Sequence, residues 1–464
     1  MTEQSRFRRH RSLRLRVRQE DSCARQSWPG RAGSAPGWIF VILCTAGVSI
    51  AAPGSKAKAP PGAFEPVTCF DRVSNAVREQ FWDPNFNGVN WEEAEKRYRP
   101  RALAAADHEE FAGVVNEMLA ELRTSHTCYL TRWDQDYYGL QAATISQNLA
   151  ALFLSDPSEL EKQSPGQYSS GGRPHRAGIG VVTKWIEGHH YVEWIVDKSP
   201  ARKAGMLLGD RLLDVDGRPF HPIRSFEGKA GRTVELTLQR APEDSSRRTV
   251  KLTPVDKEER ELFEEDSFLQ TRIIEHEKQR FAYLPLYGLS GWQMRGVLDK
   301  GVDLACESDG LIIDLRHGFG GSPPREYLDP FLRGELRGTT VESVMRSRKS
   351  SSPIRYDGPI VVLTNDRTRS GKELLAYWFK KAGRAILLGE RTGGYVSGGR
   401  PIRICEDSLL YVCVMMITVD GKPLEGVGVE PDIKVPFDIR FAAGRDLQLE
   451  RAKEELTKPR RESR

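Results

Sequence analysis

The sequence predicts a multidomain α+β protein with a helical N-terminal region, a compact β-rich domain and an α/β core. Apolar residues recur at helical spacing before residue 130, and short strands bounded by glycine turns begin near residue 177. After residue 310, apolar strands alternate with helices. With 464 residues and 39% apolar composition, the chain is long enough for two to four domains.

Residues 1–52 have the layout of a secretory signal peptide or signal anchor. An arginine-rich start precedes an uncharged apolar stretch, Trp38 to Ala52, that closes on small residues and is short for a bilayer span. We therefore expect an exported protein, periplasmic or otherwise extracytoplasmic. Membrane attachment through an uncleaved N-terminal segment is the alternative.

The formal net charge of +5 is a local effect of this N-terminal segment. Residues 1–37 hold nine arginines against Glu3, Glu20 and Asp21, an excess of six that leaves −1 for the remainder of the chain. A remainder without basic excess argues against nucleic acid as a partner.

Removal of the signal would leave an odd number of cysteines, so at least one thiol stays free. Cys405 and Cys413 flank a predicted hairpin and can pair in an oxidising compartment, although two buried free thiols are the favoured interpretation. No cysteine spacing indicates zinc, and we expect neither a metal nor a cofactor. The five cysteines are Cys69, Cys128, Cys306, Cys405 and Cys413.

The domain boundaries follow from changes in periodicity. A helical region spans 60–155, with Asp107 and Glu110 as a cap-like pair, and a polar linker runs from Ser155 to Arg176. The β-rich domain spans 177–256 and the α/β core 257–440. The charged tail, 441–464, is predicted to be a solvated helix.

Ser370 is the first candidate for chemistry. It follows the apolar strand 360–364 and opens an amphipathic helix, so it is either an ordinary N-cap or a nucleophile near unpaired amides. A serine nucleophile needs a general base, and His126 lies in a polar cluster, 123–127, at the end of a strong helix. The glycine turn 318–321 after a buried strand is typical of an oxyanion hole and also of a simple tight turn.

Together these segments resemble the C-terminal processing (tail-specific) serine peptidases, a family with a PDZ domain and a crotonase-like α/β core. The resemblance runs from about Phe64 to Pro436. The matching segments are Leu122 to Thr127, Gly178 to Gly180, Ser199 to Asp210, Asp314 to Gly321, and Ser370 to Glu373.

The family has two catalytic branches, and the sequence favours one. In the branch with a serine and lysine dyad, a lysine stands at the place of Tyr395. The other branch, similar to the tricorn core peptidases, has two glycines in that turn, as Gly393 and Gly394 do here. The resemblance of this chain to that branch implies four catalytic residues: Ser370 as nucleophile, His126 as base, Ser125 as a supporting hydroxyl and Glu425 as the final carboxylate.

The resemblance also implies binding groups. The amides of Gly371 and of Gly320 or Gly321 would hold the oxyanion. Gly318 stands where the family usually has an asparagine, and we expect this glycine to loosen the oxyanion loop. In the PDZ-like domain, Gly178, Ile179 and Gly180 would bind a peptide carboxylate while the peptide adds as a strand.

The predicted function is an exported serine endopeptidase that acts on polypeptide substrates through an acyl-enzyme and recognises their C-termini. Lys372 and Glu373, just after the nucleophile, are interpreted as structural. One alternative is an inactive PDZ-containing peptide-binding protein, motivated by Gly318 and the missing lysine. Another is the hydrolysis of small esters or peptides on the same fold.

Overall fold

The computed structural model describes residues 63–145, 175–289, 291–321, 325–332 and 355–459. The predicted signal segment, 1–52, and the linker up to residue 174 lie outside the described residues. No helix in the described ranges has the length and apolar character that a membrane crossing requires.

The N-terminal region is helical with one short strand. Its elements are α1 Pro66–Gln80, α2 Trp91–Leu103, α3 His108–Ala120, β1 Cys128–Thr131 and α4 Gln135–Ile145. Asp107 caps α3 by accepting hydrogen bonds from the amides of Glu109 and Glu110, and Glu110 reaches back to the Ala106 amide at 2.7 Å. The predicted cap and helix are confirmed, whereas β1 interrupts a region that we expected to be helical throughout.

The β-rich domain is an insertion between the helices and the core. Its elements are β2 His175–Gly178, β3 Val181–Ile186, β4 His189–Ile195, α5 Pro200–Lys203, β5 Arg211–Val215, β6 Arg218–Pro219, β7 Val234–Gln239, β8 Arg247–Leu252 and β9 Val255–Glu258. The sheet order is β3-β4-β5-β7-β8, with β6 beside β5. Because β2 pairs with β9, Gly178 opposite Val255, the chain enters and leaves the domain through neighbouring strands.

The core contains a second, mainly parallel sheet. Its elements are α6 Glu259–Gln270, β10 Arg272–His276, β11 Gln279–Pro285, α7 Trp292–Cys306, β12 Gly310–Asp314, α8 Arg325–Leu328, β13 Ile360–Thr364, α9 Gly371–Lys381, β14 Ile386–Gly389, β15 Gly398–Cys405, β16 Ser408–Met415, β17 Thr418–Val419, β18 Lys422–Pro423, β19 Ile433–Lys434 and α10 Leu447–Thr457. The order is β10-β11-β12-β13-β14-β19, and only β10 runs antiparallel to its neighbour. Every residue of β12 and β13 is buried, as the apolar runs predict for a covered parallel sheet.

A hairpin from the core completes the N-terminal region. β15 and β16 pair with β1 in the order β1-β16-β15, and this sheet shares a core with α1 and α3. Cys413 lies opposite Gly399, and Cys405 ends its strand opposite Ser408, so the two cysteines are not cross-strand partners. Both are buried, and neither forms a disulfide.

The C-terminal helix α10 corrects the prediction of a solvated tail. Ala452 is fully buried, and Leu456 packs in one cluster with Phe281 and β12. Charged residues dominate the composition of this segment, so its narrow apolar stripe was not apparent from composition alone. The helix covers a face of the parallel sheet.

The fold brings three loops to one edge of that sheet. β12, β13 and β14 run parallel, so the segments that follow them, 315–321, 365–370 and 390–397, leave from the same end. The carboxyl edge of a parallel sheet is where ligands usually bind in α/β folds. The candidate site lies there.

Candidate active site

Ser370 occupies the N-cap position of α9 in an unusual backbone conformation. Its φ of 58° and ψ of −130° lie where residues other than glycine are rarely found. Its side chain makes no capping hydrogen bond, and its amide donates to the Tyr395 carbonyl at 2.6 Å. The hydroxyl is therefore not used as an ordinary N-cap serine uses it.

The glycine turn after β12 lies directly against Ser370. A Cβ atom on Gly320 would stand 2.4 Å from Ser370 Cβ and 2.8 Å from its Oγ, so only glycine allows this approach. Gly371 is the first residue of α9, where the amide has no partner within the helix. The backbone of both candidate oxyanion segments thus adjoins the serine.

Gly318 does not loosen this turn, contrary to our expectation. Its φ is 85°, and a Cβ atom there would meet the Tyr287 carbonyl oxygen at 2.2 Å. The next amide, that of Phe319, donates to the same carbonyl at 2.5 Å. The turn is packed tightly on residue 287, and this packing depends on a glycine.

The start of the turn is held by a buried ion pair. Arg316 binds Asp314 at 2.7 Å and also Asp446, which caps α10. Burial opposes ionisation of Asp314, but the adjacent Arg316 guanidinium outweighs it and holds the pKa of that carboxyl well below its usual range. The C-terminal helix therefore anchors the loop that faces Ser370.

The structure brings Ser125, His126 and Glu425 together from two distant parts of the chain. Ser125 Oγ lies 2.8 Å from His126 Nδ1. Glu425 Oε1 accepts the Ser125 amide at 2.7 Å. Asn87 accounts for part of this placement, because its side-chain amide holds the Leu122 carbonyl at 2.6 Å, just before the turn that carries His126.

Ser397 also contacts the imidazole, and the sequence analysis missed it. Its Oγ lies 3.1 Å from His126 Nδ1 and 3.5 Å from Ser125 Oγ. Its amide and that of Val396 donate to Glu425 Oε2 at 3.0 and 2.9 Å. The signal in the sequence was its place three residues after Gly394, which does not by itself indicate a contact with histidine.

The contacts set the charge states of the cluster. Burial of Glu425 opposes its ionisation, but hydrogen bonds from the Ser125 amide and hydroxyl and from the amides of Ser397 and Val396 hold its pKa below the usual value. Burial lowers the pKa of His126 to about 4, with the Glu425 carboxylate acting against this shift and Arg369 acting with it. At neutral pH the cluster therefore contains a carboxylate and a neutral imidazole.

Residues 395–397 connect Ser370 to this cluster, but no hydrogen bond joins Ser370 to His126 in the described part of the chain. Within the described ranges, the Ser370 hydroxyl has no hydrogen-bond partner. Arg369, the residue before it, is paired with Asp136 at 3.0 Å and is close enough to act on the charge of His126. Catalytic hydrogen bonds are often open in unliganded enzymes and tighten when substrate binds.

Lys372 and Glu373 hold neighbouring loops in place. The fully buried Lys372 ammonium donates to the His317 carbonyl in the glycine turn. Glu373, also fully buried, accepts the amides of Gly394 and Tyr395 at 2.7 and 2.5 Å. Glu373 thus holds the turn that contains Gly394 beside the start of α9.

The β-rich domain contacts the loop that carries Ser370. Arg367 pairs with Glu193 of β4 at 2.7 Å, and Asp366 pairs with Lys184 of β3 at 2.8 Å. In the same domain, the Ile179 carbonyl accepts the Ala201 amide at 3.0 Å. The predicted carboxylate loop is therefore packed against α5.

A cavity of about 690 Å³ opens beside this loop, at the junction of the β-rich domain and α6. Gly180 lines it, together with four lysines and three acidic residues. Two of the lysines are paired, Lys251 with Glu235 and Lys257 with Glu265. The charged lining residues are Lys198, Lys203, Lys251, Lys257, Asp197, Glu265 and Asp266.

Three family models match the chain in the order that the fold presents them. Residues 65–120 match the tricorn protease C1 domain, 177–253 a PDZ domain, and 280–435 peptidase family S41. The chain therefore carries an S41 peptidase domain preceded by a PDZ domain. This confirms the resemblance to the C-terminal processing peptidases.

Curated relatives agree with these domains. The chain is 25% identical over 411 residues to tricorn protease homolog 1 of Streptomyces coelicolor, covering 82% of this chain and 34% of the relative. It is 26% identical over 399 residues to the carboxyl-terminal-processing protease of Picosynechococcus sp., covering 82% and 87%. The first relatives are thus much longer proteins, of which this chain spans about a third.

A solved structure titled photosystem II D1 C-terminal processing protease aligns with a TM-score of 0.46 at 22% identity. The alignment covers 83% of this chain and 98% of that one.

Proposed function

We propose that this protein is a serine endopeptidase that cleaves polypeptides through an acyl-enzyme at Ser370. One observation carries the proposal. The buried His126 imidazole contacts the Ser125 hydroxyl, the Ser125 amide binds the Glu425 carboxylate, and nearby stands a serine in a strained N-cap conformation whose hydroxyl is not used for capping. This is the set of groups that serine acylation requires. The S41 match supports the same activity.

In the proposed reaction, Ser370 Oγ attacks the carbonyl carbon of the scissile peptide bond. Nε2 of the neutral His126 takes the serine proton and then donates it to the leaving amine as the C–N bond breaks. A water molecule, deprotonated by the same nitrogen, hydrolyses the ester and restores Ser370. The amides of Gly371 and of Gly320 or Gly321 would stabilise the negative oxygen of each tetrahedral intermediate.

The carboxylate makes the proton transfer favourable. Protonation of the base produces an imidazolium in a buried place, which costs free energy unless opposite charge is near. Glu425 is ionised and accepts the amide of Ser125, whose hydroxyl lies 2.8 Å from Nδ1, and its negative charge offsets that cost. We therefore assign the chain to the branch with Ser370, His126, Ser125 and Glu425.

The dyad mechanism is the less suitable proposal for this chain. Tyr395 occupies the place of the dyad lysine, and its contribution is the carbonyl that accepts the Ser370 amide. The nearby Lys372 is committed to the His317 carbonyl. We propose a structural role for Lys372.

We propose that the PDZ domain binds the substrate C-terminus. Strand β3 is at the edge of its sheet and begins directly after the loop 178–180, so a peptide can add along it with its carboxylate at the loop. Competition by a peptide with a free C-terminus but not by its C-terminal amide would support this role. Equal competition by both peptides would contradict it.

We also propose that the protein acts outside the cytoplasm. The arginine-rich start and the apolar stretch within 1–52 support export. Fractionation of cells that express the full chain, and the chain without residues 1–52, tests this. Cytoplasmic recovery of both would contradict it.

Fluorophosphonate labelling of the purified protein with peptide mapping tests the central proposal. We expect label on Ser370 that is lost in Ser370→Ala and strongly reduced in His126→Ala, while the control Ser246→Ala, on a remote loop, labels as wild type. A folded wild type that takes no label would instead favour the inactive peptide-binding protein. Turnover of short peptides but never of folded or tailed proteins would favour a small-substrate hydrolase.

A further inference from the structure

We propose that Ser397 is a positioning residue for the base, a second hydroxyl that shares the Nδ1 proton of His126 with Ser125. The kinetic consequences rest on the proposed peptidase function, whereas the structural claim about the imidazole does not. The claim adds a member to the four residues that the resemblance implies.

The distances place both hydroxyls on one nitrogen. Ser125 Oγ and Ser397 Oγ lie 2.8 and 3.1 Å from His126 Nδ1, and 3.5 Å from each other. Ser397 is 2% exposed, so within the described part of the chain its hydroxyl faces protein and not solvent. A buried hydroxyl in such a place normally has hydrogen-bond partners.

The backbone fixes Ser397 in this position. Its amide donates to Glu425 Oε2, the same carboxylate whose other oxygen accepts the Ser125 amide. Two residues earlier, the Tyr395 carbonyl accepts the Ser370 amide and the Tyr395 amide donates to Glu373. One short segment therefore positions the base, the carboxylate and the nucleophile.

The protons of the cluster determine what Ser397 can do. Glu425 Oε1 already accepts the Ser125 amide, and we infer that the hydroxyl of the same residue also directs its proton to this carboxylate, so that the Ser125 oxygen accepts from the imidazole. Nδ1 then carries the proton, and Nε2 is left as the base. The Ser397 oxygen can accept from the same N–H, and its own proton can go to Ser125 Oγ. Either hydroxyl alone can thus maintain the productive tautomer.

This arrangement predicts a non-additive effect of removing the two hydroxyls. We expect Ser125→Ala and Ser397→Ala each to lower kcat by roughly tenfold with little change in KM, and the double variant by roughly a thousandfold or more. A double variant no slower than Ser125→Ala alone would overturn the proposal.

A matched pair separates the hydroxyl from its packing. Ser397→Thr keeps the hydroxyl. Ser397→Val has the shape of the threonine variant, with a methyl group in place of the hydroxyl. We expect the threonine variant to retain near-wild-type kcat and pH profile, and the valine variant to lose kcat at an unchanged melting temperature. Equal kcat and pH profiles for the pair would overturn the proposal even if Ser397→Ala is poorly folded.

¹⁵N-histidine NMR of the full chain tests the structural claim without any assay of activity. The His126 signal is assigned by its loss in His126→Ala. We expect the Nδ1-protonated form in wild type and either single alanine variant, and the Nε2-protonated form in the double variant. The Nδ1-protonated form in the double variant would overturn the proposal. If Ser370→Ala retains proteolysis while these NMR results hold, the peptidase function fails and the role of Ser397 stands.

Discussion

The amide of Ser370 donates a 2.6 Å hydrogen bond to the carbonyl of Tyr395. Tyr395, at the place where the resemblance puts the dyad lysine, therefore supports the proposed nucleophile through its backbone carbonyl. Tyr395 is 42% exposed, and the amides of the two residues that follow bind the Glu425 carboxylate. Residues 395–397 thus contact Ser370 and Glu425 through their backbone.

The pH dependence of catalysis should reflect the buried base. Burial lowers the pKa of His126 to about 4, so the imidazole is neutral, and able to accept a proton, at all pH values above that. We expect the acidic limb of kcat/KM near pH 4, well below the usual 6.5 of histidine. Short initial-rate assays between pH 3.5 and 8 measure it, and a limb near 6.5 would contradict the assignment of His126.

Acid should also destabilise the fold through histidines that are fully or partly buried. Burial lowers the pKa of His126 and His190 to about 4 and that of His317 to about 3. Between those values and 6.5 the unfolded chain binds more protons, so stability is full above about 6.5 and falls as the pH drops toward 4. Urea unfolding at several pH values checks this slope, which His190→Gln should reduce by at most about 1.4 kcal/mol per pH unit.

Lys372 should make stability rise with pH on the alkaline side. Burial, above all, lowers its pKa to about 7, while the unfolded lysine titrates near 10.5. Between these values the unfolded state binds more protons, so the free energy of unfolding should increase from pH 7 to about 10. In Lys372→Met this increase should be smaller, and kcat should fall because the His317 carbonyl loses its donor. Identical slopes in both proteins would contradict the prediction.

Gly318→Asn should be destabilising, although the family usually has asparagine there. A side chain at φ 85° would meet the Tyr287 backbone at 2.2 Å, so we expect a loss of about 1–3 kcal/mol with a matching loss of activity. Gly383→Asn is the matched control, because φ there is 59° with nothing within 4 Å of a Cβ atom. Equal melting temperatures for the two variants would show that the contact with Tyr287 does not determine the stability loss, and would contradict the prediction.

The sequence by itself determined the elements and the chemistry they carry. Periodic apolar residues specify α3 and α9, and continuous apolar runs specify β12 and β13. A serine, a histidine and a glycine turn can be recognised as candidate catalytic groups before the fold is known. Local spacing decides these features, because helix and strand periods involve neighbouring residues only.

Only the tertiary structure decided which of these groups meet. Ser397 and His126 are separated by 271 residues, and no local pattern marks their contact. The burial of α10, the commitment of Lys372 to the His317 carbonyl and the fit of Gly318 against Tyr287 are likewise contacts between distant segments. Such contacts depend on how sheets and helices pack. The local spacing of residues in a single sequence does not show which distant segments pack together.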